Sequence, residues 1–418
     1  LRYTNLMTRS LIPWIILFLT LVIDYYGFTA VRSAFQNSSV KTRNIAYFLY
    51  WCLTAFVLIY FILAIIFNFR ENSTSLTRFM TGVFMGIFVS KLVLVLFLFL
   101  EDIFRLISVI YNYLIKPSNE LHTSRRQFLD SVFLGLAGLP FLAFINGMVK
   151  TAHDYQFWRV NIPIKNLPSA LEGLKIVQVS DIHAGSFSDA EPLKLAVEKI
   201  NALKPDIFVF TGDLVNNKAS EFTPYIDVFK DIKAKYGQFS ILGNHDYGDY
   251  IQWPSPQDKE ENFSMIKQYH RDTNWDILCN EYRVLEIGDQ KLALIGVENW
   301  GAKMHFTRQG DLKKAYRGIE NIPTKILLSH DPSHWDAEVR KCTPDVQLTL
   351  SGHTHGMQFG VENKWFRFSP VQWFYKQWAG LYTEYDQHLY VNRGFGFIGY
   401  PGRVGIRPEI AILTLTRT

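Results

Sequence analysis

The chain has 418 residues, 48% of them apolar and 15% aromatic, with a formal net charge of +5. That length leaves room for a domain of ordinary size and a second part. So mild a charge, with no basic run interleaved with aromatics, argues against nucleic acid as a partner. Three cysteines without CxxC spacing make no disulfide framework or metal knuckle, and Cys52, Cys279 and Cys342 are expected as buried thiols.

Up to about Val149 charges are sparse and apolar runs long, whereas the remainder alternates charged, apolar and turn residues as soluble domains do. We therefore divide the chain into a transmembrane helical domain at 1–150, a linker at 151–171 and a soluble domain at 172–418. A hydrocarbon core needs roughly 20 apolar residues to cross, and stretches 11–31, 45–67 and 79–100 meet that length. Residues 101–116 space Arg105, Ser108, Asn112 and Lys116 three to four apart among apolar residues. That pattern predicts an amphipathic helix, lying in the interface or extending the third helix.

Residues 123–149 complete about four spans. Their Ser124-Arg125-Arg126-Gln127-Phe128-Leu129 resembles a twin-arginine export signal and reads equally as the basic flank of an ordinary membrane helix. Loops 32–44 and 101–127 carry seven Lys and Arg against four in the N-terminal tail and loop 68–78. The positive-inside rule then puts the first set in the cytoplasm and the soluble domain outside. Asp24 and Lys91 are charges within the first and third spans, at similar depth because those spans run in the same direction. An intramembrane ion pair is expected there, the alternative being that each reaches its own polar partner or water.

In the soluble half, five apolar strands end in polar clusters. LKIVQVSDIH ends at Asp181 and His183, DIFVFTGD at Asp213, FSILGNHD at Asn244, His245 and Asp246, KILLSHD at His330, and VQLTLSGHTH at His353 and His355. A helical pattern over Asp189 to Leu203, with capping-box spacing between Ser188 and Glu191, separates the first two. The carboxyl ends of strands in an α/β sheet form one rim where ligands bind, so five of the eleven histidines meet there. Residues two apart on a strand face the same side, which converges His353 and His355 on one point. Imidazole, carboxylate and amide oxygen suit borderline divalent ions such as Zn, Mn and Fe. Seven such ligands are too many for one ion and suit two that share a carboxylate.

Asp181-Ile182-His183, Gly212-Asp213, Gly243-Asn244-His245-Asp246, Ser329-His330 and Gly352-His353-Thr354-His355, in that order, resemble the signature of the calcineurin-like metallophosphoesterases. The resemblance covers 172–418 and is closest to the bacterial membrane-linked phosphodiesterases, whose ending is similar to LYVNRGFGF and RPEIAILTL here. It implies an α+β chain: an N-terminal transmembrane helical bundle followed by a four-layer αββα sandwich. It also implies that Asp181, His183 and His355 hold one divalent ion, Asn244, His330 and His353 a second, and that Asp213 bridges both. Asn244 and Asp213 would share the catalytic role with His245, the general acid or electrostatic stabiliser.

The activity implied is hydrolysis of a phosphodiester or phosphomonoester by metal-activated water, on a lipid head group. Its setting is a multi-pass protein of the bacterial inner membrane with the catalytic domain outside. Two alternatives stand beside it: a lipid-linked pyrophosphatase of the UDP-2,3-diacylglucosamine hydrolase type, and an inert membrane sensor or scaffold.

Three positions depart from the family pattern. Asn216 stands where many relatives have an aspartate supporting the catalytic histidine; an amide orients an imidazole but stabilises its protonated form less. Met357 replaces a second glycine and is expected to narrow or grease the site mouth. Asn216-Asn217-Lys218 lacks the arginine of the protein phosphatases, which counts against phosphoprotein substrates. Residues 246–263 read as a lid, a rim loop or a plain surface connection. Within 364–382, Trp365, Phe366, Phe368, Trp373, Phe374, Tyr375 and Trp378 lie among Lys364, Arg367 and Lys376. Core packing explains about half of those rings, and the rest resemble an interfacial belt.

Overall fold

The charge-poor runs of the first third form four helices: α1 (Arg2–Ala34), α2 (Val40–Ile66), α3 (Ser75–Leu114) and α4 (Thr123–Val149). Each holds a segment long and apolar enough to cross a membrane. The computed structural model describes residues 2–69, 74–114, 123–303, 306–363 and 365–418. It divides after Met148 into two units. Ser39 starts α2 by accepting the Thr42 N–H on its hydroxyl at 3.2 Å, satisfying one of the free donors of a helix start. Nothing in 101–114 is Gly or Pro, so α3 continues through it. The amphipathic stretch is therefore an extension of the third helix and not a separate element; Lys116 lies outside the described residues.

The expected intramembrane pair is present. Lys91 Nζ lies 2.6 Å from Asp24 Oδ1, with both side chains buried, and donates to Thr54 Oγ1 at 2.8 Å. Tyr50 Oη donates to the Asp24 carbonyl at 2.8 Å, so α2 joins the contact between α1 and α3.

The second unit is built from strands β1 (Gln156–Ile164), β2 (Lys175–Val179), β3 (Ile207–Phe210), β4 (Gln238–Ser240), β5 (Asp276–Ile277), β6 (Glu281–Ile287) and β7 (Gln290–Gly296). It continues with β8 (Thr324–Leu328), β9 (Leu348–Ser351), β10 (Val361–Glu362), β11 (Arg367–Phe368), β12 (Gly380–Glu384), β13 (Gln387–Val391) and β14 (Glu409–Arg417). One six-stranded sheet has the order β1-β14-β2-β3-β4-β5 and the other β12-β13-β9-β8-β7-β6, with β10-β11 a small hairpin. The strands nearest the site are mostly parallel, as their crossover connections require.

Three apolar cores define the layers. Ile176, Ile207 and Val209 of the first sheet meet Leu292, Leu294, Ile326 and Leu350 of the second in a core between the sheets. The other face of the first sheet packs on α5 (Glu191–Ala202), α6 (Ile226–Lys230) and α7 (Pro256–Asp272) through Leu193, Val197, Phe229 and Ile266. The outer face of the second sheet packs on α8 (Leu312–Tyr316) and the turn Trp335–Val339. Helix, sheet, sheet, helix is the four-layer order expected.

Several sequence expectations are corrected. The stretch 151–171 is no linker: β1 occupies nine of its residues and pairs in parallel with β14 from Gln156↔Glu409 to Ile164↔Arg417. Its partner is at the far end of the chain, so no local pattern marks it, and its edge position tolerates Pro163. The capping box of Ser188 and Glu191 does not form, because the helix begins at Glu191; Asp189 accepts the Glu191 N–H at 3.0 Å instead. Residues 256–263 of the stretch read as lid, rim loop or surface connection belong to α7, capped by Ser255, whose hydroxyl accepts the Asp258 N–H. The cysteines are not buried: Cys52 and Cys342 are exposed, and Cys279 is half-buried against the core under the first sheet.

Candidate metal centre

Asp181 and His183 follow β2, Asp213 follows β3, Asn244 and His245 follow β4, His330 follows β8, and His353 and His355 follow β9. All lie on the carboxyl rim of the paired sheets. Five of them, Asp181, His183, Asp213, His353 and His355, have left-handed φ between 49° and 73°. Non-glycine residues pay about 1–3 kcal/mol for such backbone, and it persists where surrounding contacts over-determine it.

At Asp213 such contacts come from Asp246. One of its oxygens accepts the N–H of Gly243 at 2.8 Å and of Asp213 at 3.0 Å, and the other accepts the N–H of Leu214 at 2.8 Å. Two loops are thereby clamped together, and the clamp is so tight that a Cβ on Gly243 would lie 2.2 Å from Asp213 Oδ1. The Asp181 carboxylate does the same for the GHTH loop, accepting the His353 N–H on both oxygens at 3.0 Å.

The side chains gather into two groups whose ligand atoms lie within 4.8 Å of one another: Asp181, His183 and His355, and Asp213, His330 and His353. His183 Nε2 and His355 Nε2 are 3.0 Å apart, and His355 Nε2 is 3.3 Å from Asp181 Oδ1. In the second group His330 Nε2 is 3.1 Å from Asp213 Oδ2 and 3.3 Å from His353 Nδ1. Asp213 Oδ2 also lies 3.5 Å from His183 Nε2, which joins the groups. The strand-alternation argument for His353 and His355 fails, because both leave the extended backbone. They diverge, one into each group.

Electrostatics follow from burial. Desolvation lowers the proton affinity of His183, His245 and His353, keeping these rings neutral. Burial alone would raise the Asp181 and Asp213 carboxyls, but facing imidazoles (His355 for the one, His330 for the other) hold both below the usual carboxylate range. His330 is opposite to its neighbours: burial would lower it, and Asp213, hydrogen-bonded to it, raises it to about 10.

This donor set fits divalent ions. Imidazole nitrogens converge in pairs, carboxylate oxygens sit between them, and Asn244 Oδ1 is buried with no hydrogen-bond partner among the described residues. A cation is what such a set of lone pairs lacks.

Sequence reasoning missed several supporting residues. Asn244 Nδ2 donates to Tyr250 Oη at 2.7 Å, which turns the amide so that Oδ1 is its free end. Tyr250 also packs its ring, tilted by 41°, against His245 at 4.5 Å between centroids. His353 Nε2 meets Tyr375 Oη at 2.9 Å, and that hydroxyl donates to Asp331 at 3.2 Å, leaving Nδ1 to face His330. His330 Nδ1 donates to the Thr211 carbonyl at 2.7 Å. His245 Nδ1 donates to the backbone carbonyl of Asn216 at 2.7 Å, so the ring is oriented by main chain. The Asn216 side chain, expected to do this, instead bonds Ser186 at 3.1 Å.

Two family models match: "Probable Calcineurin-like phosphoesterase, transmembrane domain" over residues 8–152 and "Calcineurin-like phosphoesterase" over 174–357. The metallophosphoesterase YkuE of Bacillus subtilis is 30% identical over 71% of this chain and 98% of its own length. The chain belongs to the calcineurin-like metallophosphoesterases. That family consists of metal-dependent phosphoric ester hydrolases, and the four apolar helices make this member a membrane protein. A "transmembrane protein with metallophosphoesterase domain" is 30% identical in Danio rerio and 31% in Bos taurus, over 65% and 64% of this chain. The chain spans about 60% of the length of those two relatives.

Proposed function

We propose that this membrane-anchored phosphoesterase works with two divalent ions, Mn, Zn or Fe, and hydrolyses a phosphodiester or phosphomonoester of a lipid head group. The observation that carries the reading is the joining of the two ligand groups at Asp213 Oδ2, within 3.5 Å of His183 and 3.1 Å of His330. In this reading Asp181, His183 and His355 hold the first ion, Asn244, His330 and His353 the second, and Asp213 both. Divalent ions supply Lewis-acid polarisation of phosphoryl oxygens and an acidified water as nucleophile.

The chain's own groups do the rest. His245 presents Nε2 to the substrate, since its Nδ1 proton is committed to Asn216. Burial keeps the ring neutral until an anionic phosphoryl group arrives; that charge raises its proton affinity and lets it protonate the leaving oxygen. The lipid substrate is supported by the four apolar helices, which confine the site to a membrane. The outward orientation is supported by the seven-to-four loop bias. It disfavours a cytosolic nucleotide-linked pyrophosphate, and a full ligand set disfavours an inert scaffold.

The test is a metal-by-substrate panel on the full chain in detergent, comparing phosphodiesters, monoesters and lipid head groups. Turnover confined to soluble nucleotide pyrophosphates would reject the lipid reading. Sidedness is read separately from a cysteine placed at exposed Ser220, with Cys52, Cys279 and Cys342 replaced. Labelling of intact cells by an impermeant thiol reagent fits the outward site, and labelling only after lysis contradicts it.

A further inference from the structure

Large apolar side chains on a folded surface are usually scattered singly. Here they are not. Of the eleven exposed beyond residue 150 among the described residues, seven fall between Met357 and Phe374. Trp365 is 94% exposed and Trp373 71%, with Phe366, Phe374 and Met357 beside them.

The segment is ordered by what lies beneath it. β10 and β11 pair Val361↔Phe368 and Glu362↔Arg367, and Ser369 Oγ donates to the Gly356 carbonyl at 2.7 Å, tying the hairpin to the turn after His355. Phe366 stacks on Phe368 at 6.2 Å and Phe368 meets Trp373 edge-on at 6.0 Å, making a row of rings. Under the row Val371, Tyr375, Trp378, Ala379 and Ile406 form their own small buried core. That foundation holds the exposed rings outward, and its Tyr375 is the residue bonded to His353. The ridge therefore borders the candidate metal centre.

The segment's own free charge is basic, and the nearby Asp336, which accepts from Gln377 at 2.8 Å, is paired with Arg340 at 2.7 Å. Exposed Lys303, Arg367 and Lys376 flank the rings. Between His353 and Thr383 the sole acidic residue is Glu362, which is committed to Arg393 at 2.6 and 2.8 Å. Lys364 lies outside the described residues. Tryptophan and phenylalanine at the tip with Lys and Arg at the flanks is the composition of groups that rest at the boundary of head groups and acyl chains. The apolar helices of the same chain hold it at a membrane, so a lipid surface is always within reach.

We propose that the Met357–Phe374 ridge is a lipid-docking surface, which seats its aromatic rings in the interface of an anionic bilayer beside the mouth of the metal centre. The inference rests on the membrane helices and the ridge itself, not on the substrate reading. With the site's rim seated in lipid, a head group reaches the ligand clusters without its acyl chains leaving the bilayer.

The test uses the full chain in nanodiscs containing phosphatidylglycerol, with Cys52, Cys279 and Cys342 replaced and a nitroxide attached at Trp365→Cys or Trp373→Cys. Both side chains are largely exposed, so neither replacement opens a buried cavity. The control is Tyr385→Cys, 92% exposed at the β12–β13 turn. Docking predicts that the two ridge labels are relaxed more by oxygen than by an aqueous nickel chelate, at a depth of about 5–10 Å, while the control shows the reverse. Aqueous accessibility equal to the control overturns the proposal. So does shielding from both reagents, the sign of a contact with a second copy or another protein surface. None of these readings uses turnover, so failure here leaves the phosphoesterase reading standing.

Discussion

Asp213 divides its two oxygens, and His245 takes one of them: Oδ1 accepts the His245 backbone N–H at 2.8 Å. Oδ2 is left facing His330 and His183. The main chain of the Gly243–Asp246 loop thus aims the oxygen at which the two groups meet. A substitution at Asp213 has to affect both ligand groups at once, whereas one confined to the His245 ring leaves the N–H in place.

Tyr250 is expected to act on metal binding through Asn244. Tyr250→Phe keeps the ring against His245 and removes the acceptor for Asn244 Nδ2. Outer partners of ligands typically matter about 10- to 100-fold in affinity, so a loss of that size is expected for the more weakly held ion. Competition with a chelating dye measures it. Unchanged affinity would mean that something else orients the amide.

Metal uptake should release a proton from His330. Its pKa of about 10, set by Asp213 and Asp181 against burial, means that the ring carries two protons at neutral pH before a cation arrives. A ligand nitrogen must give one up. The neighbouring His183 and His353 are lowered by burial and have none to release. Affinity should therefore rise about tenfold per pH unit through the neutral range and level off as pH approaches that pKa. Calorimetry in buffers of different ionisation enthalpy should find about one proton released, and none in His330→Gln. A heat independent of buffer would contradict the charge state.

The membrane pair gives a stability prediction. Asp24→Asn leaves the Lys91 ammonium without its carboxylate, and Lys91→Met leaves a buried carboxylate. Each single change should cost about 3–5 kcal/mol, mostly from the charge left behind. The double change should recover part of the loss in detergent melting. Strictly additive losses would show that the two side chains do not stabilise each other.

What could be read from sequence was local. Asp181, Asp213, Asn244, His330, His353 and His355 each follow an apolar strand, and strand ends share a rim, so their gathering was legible in the sequence, whereas their division into two groups came only from the family resemblance. β1 was not visible, because only its register with β14 makes it a strand. Tyr250, Tyr375, Asp331 and Asp246 act through hydrogen bonds across loops whose shape no spacing encodes. Among the aromatic residues of 364–382, alternation could not separate Tyr375 and Trp378, which are buried, from Trp365 and Trp373, which are exposed. That division depends on a hairpin folding back over Ile406.

The central claim is a two-ion site whose groups meet at Asp213, and counting metal tests it most directly. Elemental analysis of the full chain should find two divalent ions per chain in the unaltered protein and in His245→Ala. It should find none, or one loosely held, in Asp213→Asn. In His245→Ala turnover of a chromogenic phosphodiester should fall about 10² to 10⁴-fold with the metal retained. One ion in the unaltered protein, or both ions retained in Asp213→Asn, would contradict the account.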